Sequence, residues 1–199
     1  MQSPASNGGD TLTENATRNC LITGGAGFIG SHLADRLLQD GHSVIAVDNF
    51  VTGRHENLAQ ANKNPRLVLV EADICDRATI EPIFQDVDWV FHLAAMADIV
   101  PSIEDPIKYH RANVDGTIKV LECARRANIK RFIYAASSSC YGLPEVEPTP
   151  ENSPASPMYP YAMTKWVGEK YALHWAQTYK LPVISLRLFN VFGPRHRTA

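Results

Sequence analysis

The sequence predicts an α/β fold, a parallel sheet doubly wound with helices on both faces. Three observations carry this. Short apolar runs that read as strands alternate along the chain with stretches whose apolar residues recur at helical spacing. Parallel strands need long, right-handed crossovers, which those helical stretches supply. The turn Thr23-Gly24-Gly25-Ala26-Gly27-Phe28-Ile29-Gly30 lies between the apolar run Cys20-Leu21-Ile22 and the helical pattern from Ser31 to Leu38.

In that turn Gly24 allows the tight bend and Gly27 leaves bare backbone against which a pyrophosphate can lie. Gly30 lets helix and sheet pack closely, with the phosphates at the positive helix N-terminus. A flexible loop also carries glycines. The strand before, the helix after and an acid downstream favour a dinucleotide site. That acid is Asp48, at the end of the second apolar run Ser43 to Val47. A carboxylate there accepts both ribose hydroxyls and repels a 2′-phosphate, so NAD is favoured over NADP. A turn or capping role in Asp48-Asn49 is the competing reading, and Arg54 close by in sequence weakens the preference.

The polar segment from Val51 to Asn64 reads as a loop with a short helix, ended by Asn64-Pro65. Arg66 to Glu71 is a third strand, Asp76 caps a helix through Phe84, and Asp88 to Leu93 is a fourth strand. Leu93, Ala94 and Ala95 then bring small groups to a place where a cofactor can approach backbone. Pro101 and Pro106 bracket a loop, and a long helical pattern follows from Ile107 to Ala127. Ile129 to Ala136 is a fifth strand. Six of the 13 prolines fall between Leu143 and Pro160, which makes that run irregular. Tyr161 to Tyr179 returns to helix, and Leu181 to Leu188 is a sixth strand. Ligands of such a sheet bind at the carboxyl ends of the strands, where Gly24, Asp48, Asp73, Ala94, Ser137 and Asn190 converge.

With 199 residues, 45% of them hydrophobic, the chain can bury one substantial core. Its net charge of -2 comes from interspersed signs, which argues against nucleic acid or a membrane surface as a partner and for small molecules. Residues 1–17 read as a disordered polar tail without a signal peptide, and residues 18–199 as the dinucleotide-binding domain. No apolar stretch is long enough to span a membrane. Cys20, Cys75, Cys123 and Cys140 lack metal or disulfide spacing, and the histidines lack ligand spacing, so no metal is expected and the setting is read as reduced and cytoplasmic.

Tyr161-Ala162-Met163-Thr164-Lys165 puts a phenol and an ammonium one helical turn apart on one face. A phenol with a pKa near ~10 needs roughly 4 kcal/mol of differential stabilisation to act as a base at pH 7. Lys165 and a positive nicotinamide ring are expected to supply it. A packed Tyr and a solvated Lys are the bland alternative, which the glycine turn and the serine cluster at a strand end disfavour.

From Arg18 to Arg197 the chain resembles the extended short-chain dehydrogenase/reductase family, in its nucleotide-sugar epimerase/dehydratase branch. The resemblance rests on the glycine turn, Asp73-Ile74, His92-Leu93-Ala94-Ala95, Asn113-Val114-Asp115-Gly116-Thr117, Ser137-Ser138-Ser139-Cys140-Tyr141-Gly142, Tyr161 through Lys165, and Leu188 through Arg195. It implies a Rossmann-like domain that binds NAD. Phe28 and Ile29 are then expected at the pyrophosphate, Asp73 near the adenine, and Lys165 on the nicotinamide ribose. Asn49, Ile74 and Asn113 complete the expected cofactor set. The catalytic hydroxyl is implied to be Ser137, with Ser138 as the fallback, and Asn190 is implied to contact the nucleotide sugar. A capping role for Asp73 and a turn role for Asn190 remain open.

The serines also discriminate among the reactions the resemblance implies. Dehydrating members resemble Thr-Asp-Glu where Ser137, Ser138 and Ser139 stand, decarboxylating members carry a glutamate at Ser139, and 3,5-epimerases a cysteine there. Here only hydroxyls are present, so Ser138, Ser139, Tyr161 and Asn190 are expected around a sugar that is inverted at C4. The expectation is a 4-epimerase of a UDP-hexose or UDP-N-acetylhexosamine; the alternatives are a dehydratase or another NAD-dependent enzyme of the branch, or a non-catalytic NAD-binding protein. The family usually continues well past Ala199, so the substrate lobe is expected to be largely missing and this chain alone to turn over poorly. A homodimer through helices matching Pro106 to Ala127 and Tyr159 to Tyr179 is implied as well.

Overall fold

A computed structural model describes residues 16–196. Most of the expected tail, residues 1–15, lies outside the described residues, as do 197–199. Six strands form one parallel sheet: β1 (Asn19–Thr23), β2 (Ser43–Asp48), β3 (Leu67–Glu71), β4 (Trp89–His92), β5 (Arg131–Ser137) and β6 (Val183–Leu188). Their spatial order is β3-β2-β1-β4-β5-β6. The chain therefore winds one way from β1 to β3 and the other way from β4 to β6. That reversal opens a crevice at the carboxyl ends of β1 and β4, where a ligand of such a sheet sits.

Helix α1 (Phe28–Gln39) covers one face of the sheet; α5 (Gly116–Arg126) and α6 (Pro160–Tyr179) cover the other. Successive residues of one strand divide between the two cores, as period-two alternation requires: Cys20 and Ile22 pack on the α1 side, and Leu21 on the α5/α6 side with Val90, Phe132 and Tyr134. Burial on both faces is why the central strands read as continuous apolar runs.

The remaining elements refine the sequence expectations. The segment after β2 holds two short 3₁₀ turns, His55–Leu58 and Ala61–Lys63. Asp76 caps α2 (Arg77–Ile80) by accepting from the Thr79 amide, and Pro82 tightens its continuation, Glu81–Phe84, into a 3₁₀ turn. The loop expected between Pro101 and Pro106 is instead a helix, α3 (Ile99–Glu104). Pro101 is its third residue, where the missing N–H has no helical partner to lose. Asp105 then caps α4 (Pro106–His110), and the path to α5 passes through a π-helical turn, Arg111–Asp115.

Candidate active site

The glycine turn builds a cradle between β1, β4 and α1. Gly24 adopts φ +72, and a Cβ there would stand 2.8 Å from the Ala94 amide nitrogen, so the turn lies directly against the end of β4. A Cβ on Gly30 would overlap the Gly24 carbonyl oxygen, which is the close helix–turn contact expected of that position. Gly27 is the N-cap of α1. No side chain caps this helix and its first turn holds no acid, so its leading N–H groups and positive end are available to an anion. Phe28 and Ile29 form that first turn, half-buried at the mouth of the crevice.

Asp48 is buried, and its two oxygens accept from the Ala26 and Phe50 amides, each at 2.9 Å. The turn role considered from sequence is therefore real. It is compatible with the ribose role expected from the sequence, because each carboxylate oxygen keeps a second acceptor position. Asn49 is exposed and closes the turn by accepting from the Val51 amide. Arg54 Nη2 lies 3.5 Å from the Arg195 carbonyl. Asn57, which sequence reading passed over, donates to the Ala26 carbonyl at 2.8 Å and fixes the same turn.

Two residues expected at the cofactor have their side chains engaged within the protein. Asn113 is 1% exposed. Its amide accepts from the Met96 N–H at 2.7 Å and donates to the Met96 carbonyl and to Thr164 Oγ1, each at 2.9 Å. It therefore braces the segment after β4, which carries Leu93, Ala94 and Ala95, against α6, and acts by positioning. Ile74 is a core side chain packed against Gly116, where a Cβ would stand 2.6 Å from its Cδ1. It sets the place of Asp73, which accepts from the Cys75 amide in a local turn.

The catalytic candidates come together from β5 and α6. Ser137 ends β5 and caps the turn Ser138–Tyr141. Its Oγ lies 2.7 Å from Ser139 Oγ and accepts from the Ser139 amide. Burial pushes the Tyr161 phenol up, and the neighbouring Ser137 hydroxyl pulls it back. Ser137 is thus the serine whose hydroxyl bears on the phenol. Lys165 and a nicotinamide ring are expected to lower the phenol together; in the chain by itself burial is the larger influence and holds it up. The Lys165 ammonium lies 4.6 Å from the centroid of the Tyr134 ring, and the protein by itself leaves Tyr161 a neutral phenol. Lys165 is 4% exposed, and burial pushes it down to about 8, with Glu169 opposing. Burial also raises the Cys140 thiol, which keeps it protonated and makes it a packing residue. Asn190 is exposed, two residues past the end of β6.

Beneath these residues runs a buried hydrogen-bond chain. Thr117 Oγ1 donates to the Asn113 carbonyl at 2.6 Å, so it must accept from His92 Nε2 at 2.9 Å. His92 Nδ1 then accepts from Thr23 Oγ1 at 2.7 Å, and Thr23 Oγ1 accepts from the Ala94 amide. His92 is therefore neutral and protonated at Nε2. On the other side Asn113 reaches Thr164, which donates to the Tyr161 carbonyl. The glycine turn and the catalytic helix share one polar frame.

Burial, with Lys165 nearby, pushes His92 down to about 3. An unfolded histidine binds its proton near pH ~6.5, so folding stability falls as pH drops from there towards 3. The loss is about 2 kcal/mol by pH 5. His92→Gln lacks that proton, and its denaturation midpoint is expected to move less between pH 7 and pH 5 than that of the unaltered chain. Equal movement contradicts the buried, neutral His92.

Comparison with known proteins accords with this geometry. The chain is 41% identical over 177 residues to a putative UDP-glucose 4-epimerase of Methanocaldococcus jannaschii, an alignment covering 88% of this chain and 56% of that protein. The solved UDP-N-acetylglucosamine 4-epimerase of Methanobrevibacter ruminantium M1, in complex with UDP-N-acetylmuramic acid, superposes with a TM-score of 0.86 at 39% identity. That match covers 91% of this chain and 57% of the other. DesIV, the dTDP-glucose 4,6-dehydratase of Streptomyces venezuelae, solved with NAD bound, also has a TM-score of 0.86, at 34% identity over 89% of this chain and 57% of its own. The chain thus spans little more than half the length of these relatives. The family model of NAD-dependent epimerases/dehydratases matches residues 20–199; the chain belongs to the NAD-dependent epimerase/dehydratase family, whose cofactor is NAD.

Proposed function

We propose that the full-length protein inverts C4 of a UDP-hexose or UDP-N-acetylhexosamine through a transient 4-keto sugar. The observation that carries this reading is the run Ser137-Ser138-Ser139 beside Tyr161, which offers hydroxyls and no carboxylate. Eliminating water across C5 and C6 needs a further acid and base. Inverting C4 needs one base and a place to park the hydride.

Gly24, Gly27, Phe28, Ile29 and Gly30 would hold the pyrophosphate, Asp48 the adenosine ribose, Asp73 the adenine side and Lys165 the nicotinamide ribose. When bound, NAD supplies the acceptor and donor of the C4 hydride and a positive ring that favours the Tyr161 phenolate. Tyr161 takes the proton from the C4 hydroxyl and later returns it, while Ser137 hydrogen-bonds to the same oxygen. Lys165 contributes positive charge, and because burial holds it near 8, that contribution fades as pH rises through 8. The sugar and the nucleotide base are expected to contact Ser138, Ser139 and Asn190 and the region that relatives carry beyond this chain.

The test is incubation of the full-length protein with a panel of nucleotide sugars, with C4 inversion scored by NMR. Inversion of a UDP-sugar is expected. Release of a 4-keto-6-deoxy sugar moves the assignment to a dehydratase, the activity named for DesIV, and conversion of no sugar leaves a protein that only binds NAD. A homodimer through the helices from Pro106 to Ala127 and Tyr159 to Tyr179 is part of the same proposal, supported by Ile107, 80% exposed on α4, and by exposed Met163 on α6. Sedimentation of the full-length protein as a monomer overturns that part alone.

A further inference from the structure

Four residues beyond Lys165 on α6, and eight beyond Tyr161, stands Glu169, which is 4% exposed. Residues four apart share a helix face, so Tyr161, Lys165 and Glu169 form a file along one side of α6. A buried carboxylate is costly unless it is paired and hydrogen-bonded. Its partner is Arg187 on β6, whose Nε donates to both oxygens at 3.1 and 3.0 Å, and Ser185 Oγ donates at 3.1 Å. Arg187 in turn lies 4.6 Å from the centroid of the Tyr141 ring, in the turn that carries the serines.

We propose that Glu169 is a positioning residue that keeps the Lys165 ammonium charged, and that Arg187 sets how much of the carboxylate's field reaches it. The inference rests on the catalytic role given to Lys165 above and extends it to two residues that touch neither sugar nor cofactor. The groups facing Lys165 are His92 from β4, which is neutral, the Tyr134 ring from β5, and Glu169 on α6 itself. Glu169 is faced by Arg187 and Ser185 from β6, by Tyr134 from β5, and by Cys140 in the turn after β5, with Lys170 next to it on α6. Burial alone strips charge from Lys165, and Glu169 is the neighbouring anion that opposes it. An unscreened Glu169 would hold the proton more firmly. Pairing with Arg187 reduces that pull and leaves Lys165 poised near 8.

A purely mechanical role for the pair, pinning β6 to α6, makes a different prediction. Glu169→Gln and Arg187→Gln break the same contact, so a mechanical role gives both variants the same effect. Charge tuning gives opposite effects. The experiment is an NMR titration of this chain with 13Cε-labelled lysine, the Lys165 resonance being assigned by its disappearance in Lys165→Met. Glu169→Gln is expected to move the Lys165 midpoint down by about one pH unit, and Arg187→Gln to move it up by a similar amount. Midpoints that move in the same direction, or stay where they were, overturn the proposal. Should Arg187→Gln fail to fold, Glu169→Gln decides alone, since the amide preserves shape and an acceptor for Arg187 and Ser185; an unmoved midpoint then overturns it. The titration needs no substrate. Opposite shifts in a protein that converts no sugar would leave the electrostatic coupling standing and remove the epimerase reading.

Discussion

Tyr161→Phe in the full-length protein is expected to remove most turnover and to leave NAD affinity as it was. The phenyl ring retains the packing that places residue 161: Tyr159 stacks at 6.5 Å between centroids and Tyr109 meets it edge-on at the same distance. Only the hydroxyl is lost, and with it the influence of Ser137 on it. A positioned base is worth ~10²–10⁴ in rate, and the turnover lost is expected to lie in that range. In the proposed reading NAD is held chiefly by the glycine turn and Asp48, which lie on other elements than Tyr161. Near-normal turnover, or a loss explained by weakened NAD binding, contradicts the assignment of Tyr161 as the base. The two quantities are separated by measuring C4 inversion and, independently, quenching of protein fluorescence by NAD.

The second large effect is a contrast between two glycines three residues apart. Gly30→Ala puts a methyl into the Gly24 carbonyl oxygen, which is backbone and cannot rotate away. Either α1 moves off the sheet or the turn opens. Overpacking of this kind costs ~1–3 kcal/mol and sometimes more, and both stability and NAD affinity are expected to fall. Gly27→Ala meets only the Gly24 carbonyl oxygen at 3.1 Å, with an ordinary backbone angle of φ -73. That contact is short of an ordinary one by only a few tenths of an ångström, which a small shift of residue 27 itself relieves, whereas at Gly30 the methyl would overlap the same oxygen outright. The added methyl stands where the pyrophosphate would approach, so NAD affinity is expected to drop with little change in the denaturation midpoint. Denaturant unfolding and NAD titration of both variants check this. Equal stability losses, or a Gly27→Ala variant that binds NAD normally, contradict the cradle described here.

Residue spacing foretold those parts of the fold whose physics is local. The glycine turn, Asp48 at the end of β2 and the Tyr161–Lys165 pair depend on neighbours within one or two turns of chain, and each lies where its spacing predicts. The parts read wrongly or incompletely depend on contacts between distant segments. Pro101 looked like a loop boundary because proline breaks helices, yet in a first turn it breaks nothing. Asn113 looked like a cofactor contact, but the π-helical turn and Met96, 17 residues away, claim its amide. His92 entered only as part of a family motif, with no role given to it; its role exists only because Thr23 and Thr117 arrive on either side. Tyr161 is expected to be acidified by Lys165 and a nicotinamide ring together, whereas in the chain by itself the larger influence is burial in the opposite direction. One signal was available and unused: the four-residue period that joins Tyr161 to Lys165 continues to Glu169.

The claim on which the rest depends is that one tyrosine serves a C4 oxidation that is reversed before the sugar leaves. The most direct measurement uses UDP-hexose and UDP-N-acetylhexosamine deuterated at C4, incubated with the full-length protein and NAD. The expected product is inverted at C4 and still carries deuterium there, because the hydrogen removed from the carbon returns to the same carbon without meeting solvent. Inverted product whose C4 hydrogen comes from water, or no inversion of either sugar, contradicts the account.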